Sequence, residues 1–267
     1  MSRPGLSRSR ACDRLMTADR AAAAQAGSWT CSAELEFTGN NGRERVGLAD
    51  CGKVRFEDAV PARPFRWSRG QRHFPGWWWL ATTGRHVGYE SWLERDHLML
   101  LDFDPAVTAV ASQPFWLHWH DGRRSRRHAP DFFARLADGT AVVVDVRADD
   151  RIGPRDAEAF EVTARACESA GWEFRRVGTV DPVLAANVRW LSRYRHPRCA
   201  GRPGTAGALR RAFALPAPLL AGAAEAGDPL AVLPALFYLL WRRELAADVG
   251  SGPLGPSTLV RVGEPAR

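Results

Sequence analysis

Residues 128–147 read HAPDFFARLADGTAVVVDVR. Two short apolar runs, Phe132 to Leu136 and Ala141 to Val146, flank an Asp138-Gly139 turn, which is the local chemistry of a β-hairpin. A core strand has no use for charge at its end, yet Asp131 begins one arm and Asp145 stands near the end of the other. Each acid lies seven residues from Asp138, so the hairpin predicts both at the same end of a two-stranded ribbon. Arg147 follows Asp145 by two residues and shares its face, because side chains alternate along a strand. Acids gathered at strand ends suit a hard-oxygen cage for Mg2+ or Mn2+. A cation beside such a cage steadies charge developing on a phosphate.

The flanking sequence gives this hairpin its setting. In YESWLERDHLMLLDFDP, residues 89–105, Trp92, Leu93, Leu98, Met99 and Leu101 fall at roughly helical spacing, and Pro105 lies beyond the end. Glu94 on this helix is placed to supply a third carboxylate. Glu90 competes for that role, although its place near the helix start also suits the helix dipole. Val107 to Gln113 reads as a strand broken at Pro114, and Phe115 to Trp119 continues it to a turn at Asp121-Gly122. After the hairpin come a helix over Pro154–Ala170, a strand over Trp172–Val177 and a helix over Val183–Tyr194. Helix, several strands, helix, strand, helix is an α/β order with a mixed sheet, not a run of βαβ units.

Four regions follow from composition. Residues 1–27 read as an Arg- and Ala-rich tail. Residues 28–80 are β-rich, with strands in TCSAELEFTG, RVGLAD and KVRFEDA, a hairpin tip at Asn40-Asn41-Gly42, and a loop from Pro61 to Gly76 that ends at Trp77-Trp78-Trp79. Residues 81–197 carry the α/β core. Residues 198–267 hold a Pro/Gly linker and a small helical region, with LPALFYLLWRREL as an amphipathic helix and a Gly/Pro-rich wing or tail after it.

The chain has 267 residues, 45% of them hydrophobic and 25% charged, enough to bury a core. No apolar run reaches membrane-spanning length and the basic N-terminus lacks a signal-peptide core, so a soluble cytoplasmic protein with no membrane partner is expected. The five cysteines are scattered, which argues against structural zinc and a disulfide framework. A net charge of +7 suits an anionic partner such as DNA, although Lys53 is the only lysine and the Arg excess also matches a coding bias.

Pro130-Asp131 followed by Asp145-Val146-Arg147 resembles the PD-(D/E)XK nuclease pattern. With YESWLERDHLMLLDFDPAV, SQPFWL and HAPDFF, the stretch from about Tyr89 to Gly178 resembles, more narrowly, the TnsA-type endonuclease subunit of heteromeric transposases. The resemblance implies a restriction-endonuclease-like core, with Glu94, Asp131 and Asp145 holding Mg2+ (or Mn2+) and Arg147 in the place of a catalytic lysine. It also implies hydrolysis of phosphodiester bonds in double-stranded DNA at transposon ends, beside a DDE-type transposase subunit and an ATPase regulator. Arg147 departs from the family's lysine: a guanidinium keeps the charge but is useless as a proton donor or acceptor. The alternative is a catalytically impaired nuclease fold serving as a DNA-binding or assembly subunit.

Other residues are weighed around this site. Arg123, Arg124, Arg126 and Arg127 form a basic turn leading into HAPD, placed to contact backbone phosphates. Arg69, Arg72 and Arg85, interleaved with Phe74 and the tryptophans, are placed to act likewise. Gln113 reads as a structural hydrogen bonder, with a place along the DNA path as the alternative, and His128 as a polar strand-edge residue, with a metal or phosphate neighbour as the alternative. His118 and His120 lack the third ligand of a zinc site.

Overall fold

The computed structural model describes residues 33–39, 42–65 and 74–263. Its first elements are β1 (Glu34–Gly39), β2 (Gly42–Gly47), β3 (Gly76–Trp79), β4 (His86–Tyr89), α1 (Trp92–Phe103), β5 (Val107–Ser112), β6 (Trp116–His120) and β7 (Ser125–His128). They are followed by β8 (Phe132–Leu136), β9 (Ala141–Val146), α2 (Pro154–Ala170), β10 (Glu173–Val177) and α3 (Pro182–Leu191). The chain then forms α4 (Thr205–Ala212), β11 (Ala217–Pro218), α5 (Leu219–Ala226), α6 (Pro229–Trp241), β12 (Leu245–Ala247) and β13 (Leu259–Val262).

The β8–β9 hairpin is the middle of a four-stranded sheet of order β10-β9-β8-β5. β10 runs parallel to β9 and the other pairs are antiparallel, so the sheet is mixed and the architecture is mixed α/β. Alternation divides its residues between two cores. Ala141, Val143 and Phe133 face one cluster with α2 residues Ala159, Ala166 and Cys167. Val142, Val144, Phe132 and Ala134 face another with Leu98 of α1 and with Leu80 and Val87 around the β3–β4 hairpin. Both faces being covered explains the unbroken valine run, which a half-exposed strand would not tolerate.

A second sheet, β2-β1-β6-β7, closes over the first core. Phe56 is the joint between them. It is fully buried, and its ring lies 5.1 Å from Phe37 of β1, 5.0 Å from Phe115, 5.7 Å from Phe133 of β8 and 5.4 Å from Trp172. KVRFEDA is therefore not a strand. It folds into two short 3-10 turns, Cys51–Lys53 and Phe56–Asp58, which aim Phe56 inward. β1 and β2 pair as a hairpin with Gly39 opposite Gly42; residues 40 and 41 of its expected tip lie outside the described residues.

Trp77–Trp79 belongs to a hairpin with His86–Tyr89 instead of ending a loop. The buried Asp102 carboxylate of α1 holds it in place, accepting from Trp78 Nε1 at 3.1 Å, from Ala81 N at 3.1 Å and from Thr82 N at 3.0 Å. The basic turn at 123–127 is half strand: Arg126 and Arg127 lie on β7, paired with β6.

The C-terminal helices share one core with Met99 and Phe103 of α1 and with Leu184, Val188 and Leu191 of α3. Their order is helix, strand, helix, helix and two strands, and the strands form a sheet of order β11-β13-β12. Residues 229–241 contain no charged side chain, and Val232, Ala235, Leu236, Leu239 and Leu240 are buried. This helix is apolar nearly all round, not amphipathic as its sequence window suggests. Among the described residues no single helix is long and apolar enough to cross a membrane.

Phe56→Ala is expected to cost about 3–5 kcal/mol in unfolding free energy, the usual range for truncating a fully buried aromatic. Denaturant titration followed by tryptophan fluorescence measures it, and a loss below ~1 kcal/mol contradicts the role of Phe56 as the joint.

Candidate functional site

The hairpin register builds the site. Phe132 pairs with Val144, so Asp131 and Asp145 stand one step further along, opposite each other at one end of the sheet. Asp131 Oδ2 accepts the Val146 N–H at 2.7 Å, which ties the first acid to the second acid's strand. The Asp131 carbonyl accepts the Gln113 N–H at 2.9 Å, so the end of β5 joins the same row. On the other side, Arg176 of β10 lies in register with Asp145, its guanidinium paired with Asp149.

Asp145 is 2% exposed. His128, the last residue of β7, places Nε2 at 2.9 Å from both of its carboxylate oxygens and donates there when the proton sits on Nε2. The imidazole also meets Phe160 of α2 edge-on, at 6.3 Å between centroids. His128 is thus more than a strand-edge residue: it spans the two sheets over Asp145. Burial, with a smaller push from Asp145, raises the Cys167 thiol to about 12, so this neighbouring cysteine stays a neutral thiol.

Glu94 has a second occupation. Ser91 caps α1 by accepting the Glu94 N–H at 3.2 Å, and the Glu94 carboxylate answers with bonds from the Ser91 hydroxyl at 2.9 Å and the Glu90 N–H at 2.7 Å. This is a variant of the capping box, and its Ser-x-x-Glu signature stands in the sequence at 91–94. Glu90, the rival carboxylate, pairs with Arg63 at 2.6 Å.

Electrostatics register how near the acids lie to one another. Burial first, then the charges of Glu94 and Asp145, push the Asp131 carboxyl well above the ordinary carboxylate value, against the Val146 N–H and the Arg63 guanidinium. Glu94 is also raised, by burial and then by Glu90, while the Glu90 N–H, the Ser91 hydroxyl and Arg63 oppose the shift. Yet among the described residues no three His, Cys, Asp or Glu side chains stand ready to hold a metal ion. The hard-oxygen chemistry and the mutual repulsion suit a divalent cation, whereas the arrangement is a closed one. Glu94 is engaged by its cap and Asp145 by His128.

Arg147 does not join the acids. It is exposed, with Nη2 at 3.1 and 3.2 Å from the two Asp156 oxygens and Nε at 3.3 Å from the Arg151 carbonyl. Asp156 also accepts the Gly153 N–H at 3.0 Å, so Arg147 is drawn to the first turn of α2. The proposed DNA-contacting arginines divide as well. Arg126 is held by Asp121 at 2.6 Å and faces Glu158 at 3.6 Å, and Arg127 stacks on Trp116 at 4.2 Å. Arg123 and Arg124 are exposed in the turn. Arg69 and Arg72 lie outside the described residues, and Arg85 pairs with Asp58 at 3.0 Å.

Gln113 is the other unexpected feature. Its φ is 47°, a left-handed conformation that a non-glycine residue seldom adopts. It is 1% exposed, and neither side-chain amide atom has a hydrogen-bond partner among the described residues. No protein-family model matches the chain and no curated protein matches it.

The sign of the Asp131 shift gives a stability prediction. A carboxyl raised in the fold removes stability as pH climbs from the unfolded value of ~3.9 through the raised folded value, and the deficit is complete above it. Asp131→Asn removes the deficit and keeps an oxygen to accept the Val146 N–H. Its melting temperature should exceed that of the metal-free wild type at mildly alkaline pH, by about 2–4 °C per kcal/mol recovered in a chain this size. The two curves should converge near pH ~3.5, below the unfolded value.

Proposed function

We propose that this chain is a metal-dependent DNA endonuclease subunit of a heteromeric transposase, built on a restriction-endonuclease-like core and acting in the cytoplasm. The observation that carries the reading is the row of carboxyls at one sheet end: Asp131 faces Asp145 across the hairpin, with Glu94 close enough to raise Asp131. Glu94, Asp131 and Asp145 would hold Mg2+ or Mn2+. An ion held there would supply polarisation of a phosphate and a lowered pKa for a bound water. His128 holds the Asp145 carboxylate at 2.9 Å and would have to share it with such an ion. Double-stranded DNA at transposon ends, a DDE-type transposase and an ATPase regulator are the partners that the family resemblance supplies. A winged-helix reading of the C-terminal region rests on its element order, with the apolar helix 229–241 suited to packing and ill suited to phosphate contact.

A second reading has its own observation. Arg147 is held by Asp156 away from the acids, which favours a nuclease fold that serves as a DNA-binding or assembly subunit.

Calorimetric titration of Mn2+ into the wild type and Asp131→Asn, each with duplex DNA present, separates the two. The endonuclease reading expects binding that Asp131→Asn weakens by about 10–100-fold or more, and Mn2+-dependent nicking of plasmid that the same variant abolishes. Binding indifferent to Asp131 sinks it. Asp131-dependent binding with no cleavage, even with the cognate transposase added, favours the assembly subunit.

A further inference from the structure

We propose that the run of chain from Arg189 to Arg211 is a nucleic-acid surface in its own right, on which Arg193, Arg198, Arg202 and Arg211 contact the phosphate backbone of a DNA duplex without any metal. The inference shares the DNA partner of the endonuclease reading and none of its residues.

The first ground is charge. From Pro182 to Ala224 the chain holds seven arginines and no acid. Acids make up 30 of the 267 residues, a frequency that would place about five in a stretch this long. A coding bias accounts for arginine standing where lysine could, but not for the missing acids. The stretch carries as much positive charge as the net +7 of the whole chain.

The second ground is pairing. Three of the seven arginines hold the fold. Arg189 pairs with Asp96 at 2.9 Å, and Arg210 meets Glu244. Arg195 lies 4.0 Å from Asp102, stacks over Trp78 at 4.0 Å and donates from Nε to the Trp79 carbonyl at 3.1 Å. The other four are exposed, and none has an acidic partner among the described residues. The basic turn at 123–127 differs, because its own Asp121 holds Arg126 at 2.6 Å and lies 3.7 Å from Arg124.

The third ground is placement. The 3-10 turns Ser192–Tyr194 and Pro197–Cys199 and the helix α4 all pack against α6. The Tyr194 ring lies 4.8 Å from Phe237 of α6. Between the turns and α4, Gly201 takes φ 80° and comes so near α6 that an added Cβ would stand 3.0 Å from the Ala235 Cβ. The Arg202 carbonyl accepts the Thr205 N–H at 3.1 Å where α4 begins. Arg211 Nη1 reaches back along the same helix, 3.6 Å from where a Gly207 Cβ would be. One continuous run along α6 thus carries all four guanidinium groups.

The occupant follows from the chemistry. Unpaired guanidinium forks match phosphate oxygens bidentately. A protein partner would want an apolar centre depleted of charge, and Trp190, 43% exposed, is the one large apolar side chain exposed in this run. A single aromatic also falls short of the successive rings on which an unpaired strand stacks. The backbone of a duplex, met from outside by charge, suits the surface best.

The test is fluorescence anisotropy of a fluorescein-labelled, mixed-sequence duplex with the full chain in EDTA. The variants are Arg193→Gln, Arg198→Gln, Arg202→Gln and Arg211→Gln combined, the same four positions changed to Lys, Arg198→Gln alone, and Arg123→Gln with Arg124→Gln. The fourfold Gln variant should bind about 100-fold more weakly at low salt, and its salt slope should be shallower by about three to four. The fourfold Lys variant should keep most of the slope, and the change at 123 and 124 should lose less. Arg198→Gln alone should lower the slope by about one, which keeps the test open if the fourfold change unfolds the chain. Unchanged affinity and slope in the Gln variants, or a larger loss at 123 and 124, overturns the proposal. So does tighter binding of a single strand of the same length, or displacement of the duplex by polyglutamate of equal charge. With no metal in the assay, failure here leaves the endonuclease reading standing, and Mn2+ binding indifferent to Asp131 leaves this surface standing.

Discussion

The register of one hairpin governs this molecule. Pairing Phe132 with Val144 sends Phe133 and Val143 into one core and Phe132 and Val144 into another, and the same pairing sets Asp131 against Asp145. A slip by one residue would exchange the two faces, placing the aromatic that meets Phe56 and Trp172 on the wrong side. It would also part the acids. Packing and chemistry thus depend on one choice, fixed by the Asp138-Gly139 turn, where Gly139 adopts φ 89°.

That choice has a cost at the sheet end. Asp131 is partly buried and faced by two like charges, and the fold opposes them with one backbone N–H and a cation from another segment. Stabilising neighbours are spent elsewhere: His128 on Asp145, Ser91 on Glu94, Asp156 on Arg147. Each is a sound local arrangement, and together they hold the acids near one another without converging them. An apolar residue at 131 would relieve the repulsion. The fold instead keeps a carboxyl there against its usual ionisation.

The sequence made some of this legible and hid the rest for physical reasons. The hairpin, α1 and α2 were readable because Asp-Gly, helical spacing and the Pro/Gly boundaries are local signals, and the Pro154–Ala170 helix matches its expected span. KVRFEDA misled because its apolar residues alternate as in a strand, while the long-range pull of four aromatic rings on Phe56 decides its shape. The β3–β4 hairpin escaped notice for a similar reason, since what fixes it is the Asp102 carboxylate on a later helix. The acid pair was legible from hairpin arithmetic. The partners of Arg147 and Asp145 were not, because Asp156 and His128 reach them through turns and sheet contacts that spacing does not encode. Ser91-x-x-Glu94 was the one local sign that Glu94 has structural work of its own.

Gln113 shows how three segments were made to meet. Its left-handed backbone costs on the order of 1–3 kcal/mol, and such strain persists only where the surroundings over-determine it. Here they do: its N–H is taken by the Asp131 carbonyl and its carbonyl by the Ala62 N–H. Pro114 follows at once, which removes a donor and turns the chain from β5 towards β6. Relaxing Gln113 to an ordinary strand conformation would break one of those bonds, and with it the link between the acid-bearing strand and the segment that carries Arg63. The strain is therefore best understood as a consequence of closing the sheet end with an outside strand of chain. The acids thus lie on the core sheet, and the segment that bears Arg63 is tied to them through Gln113.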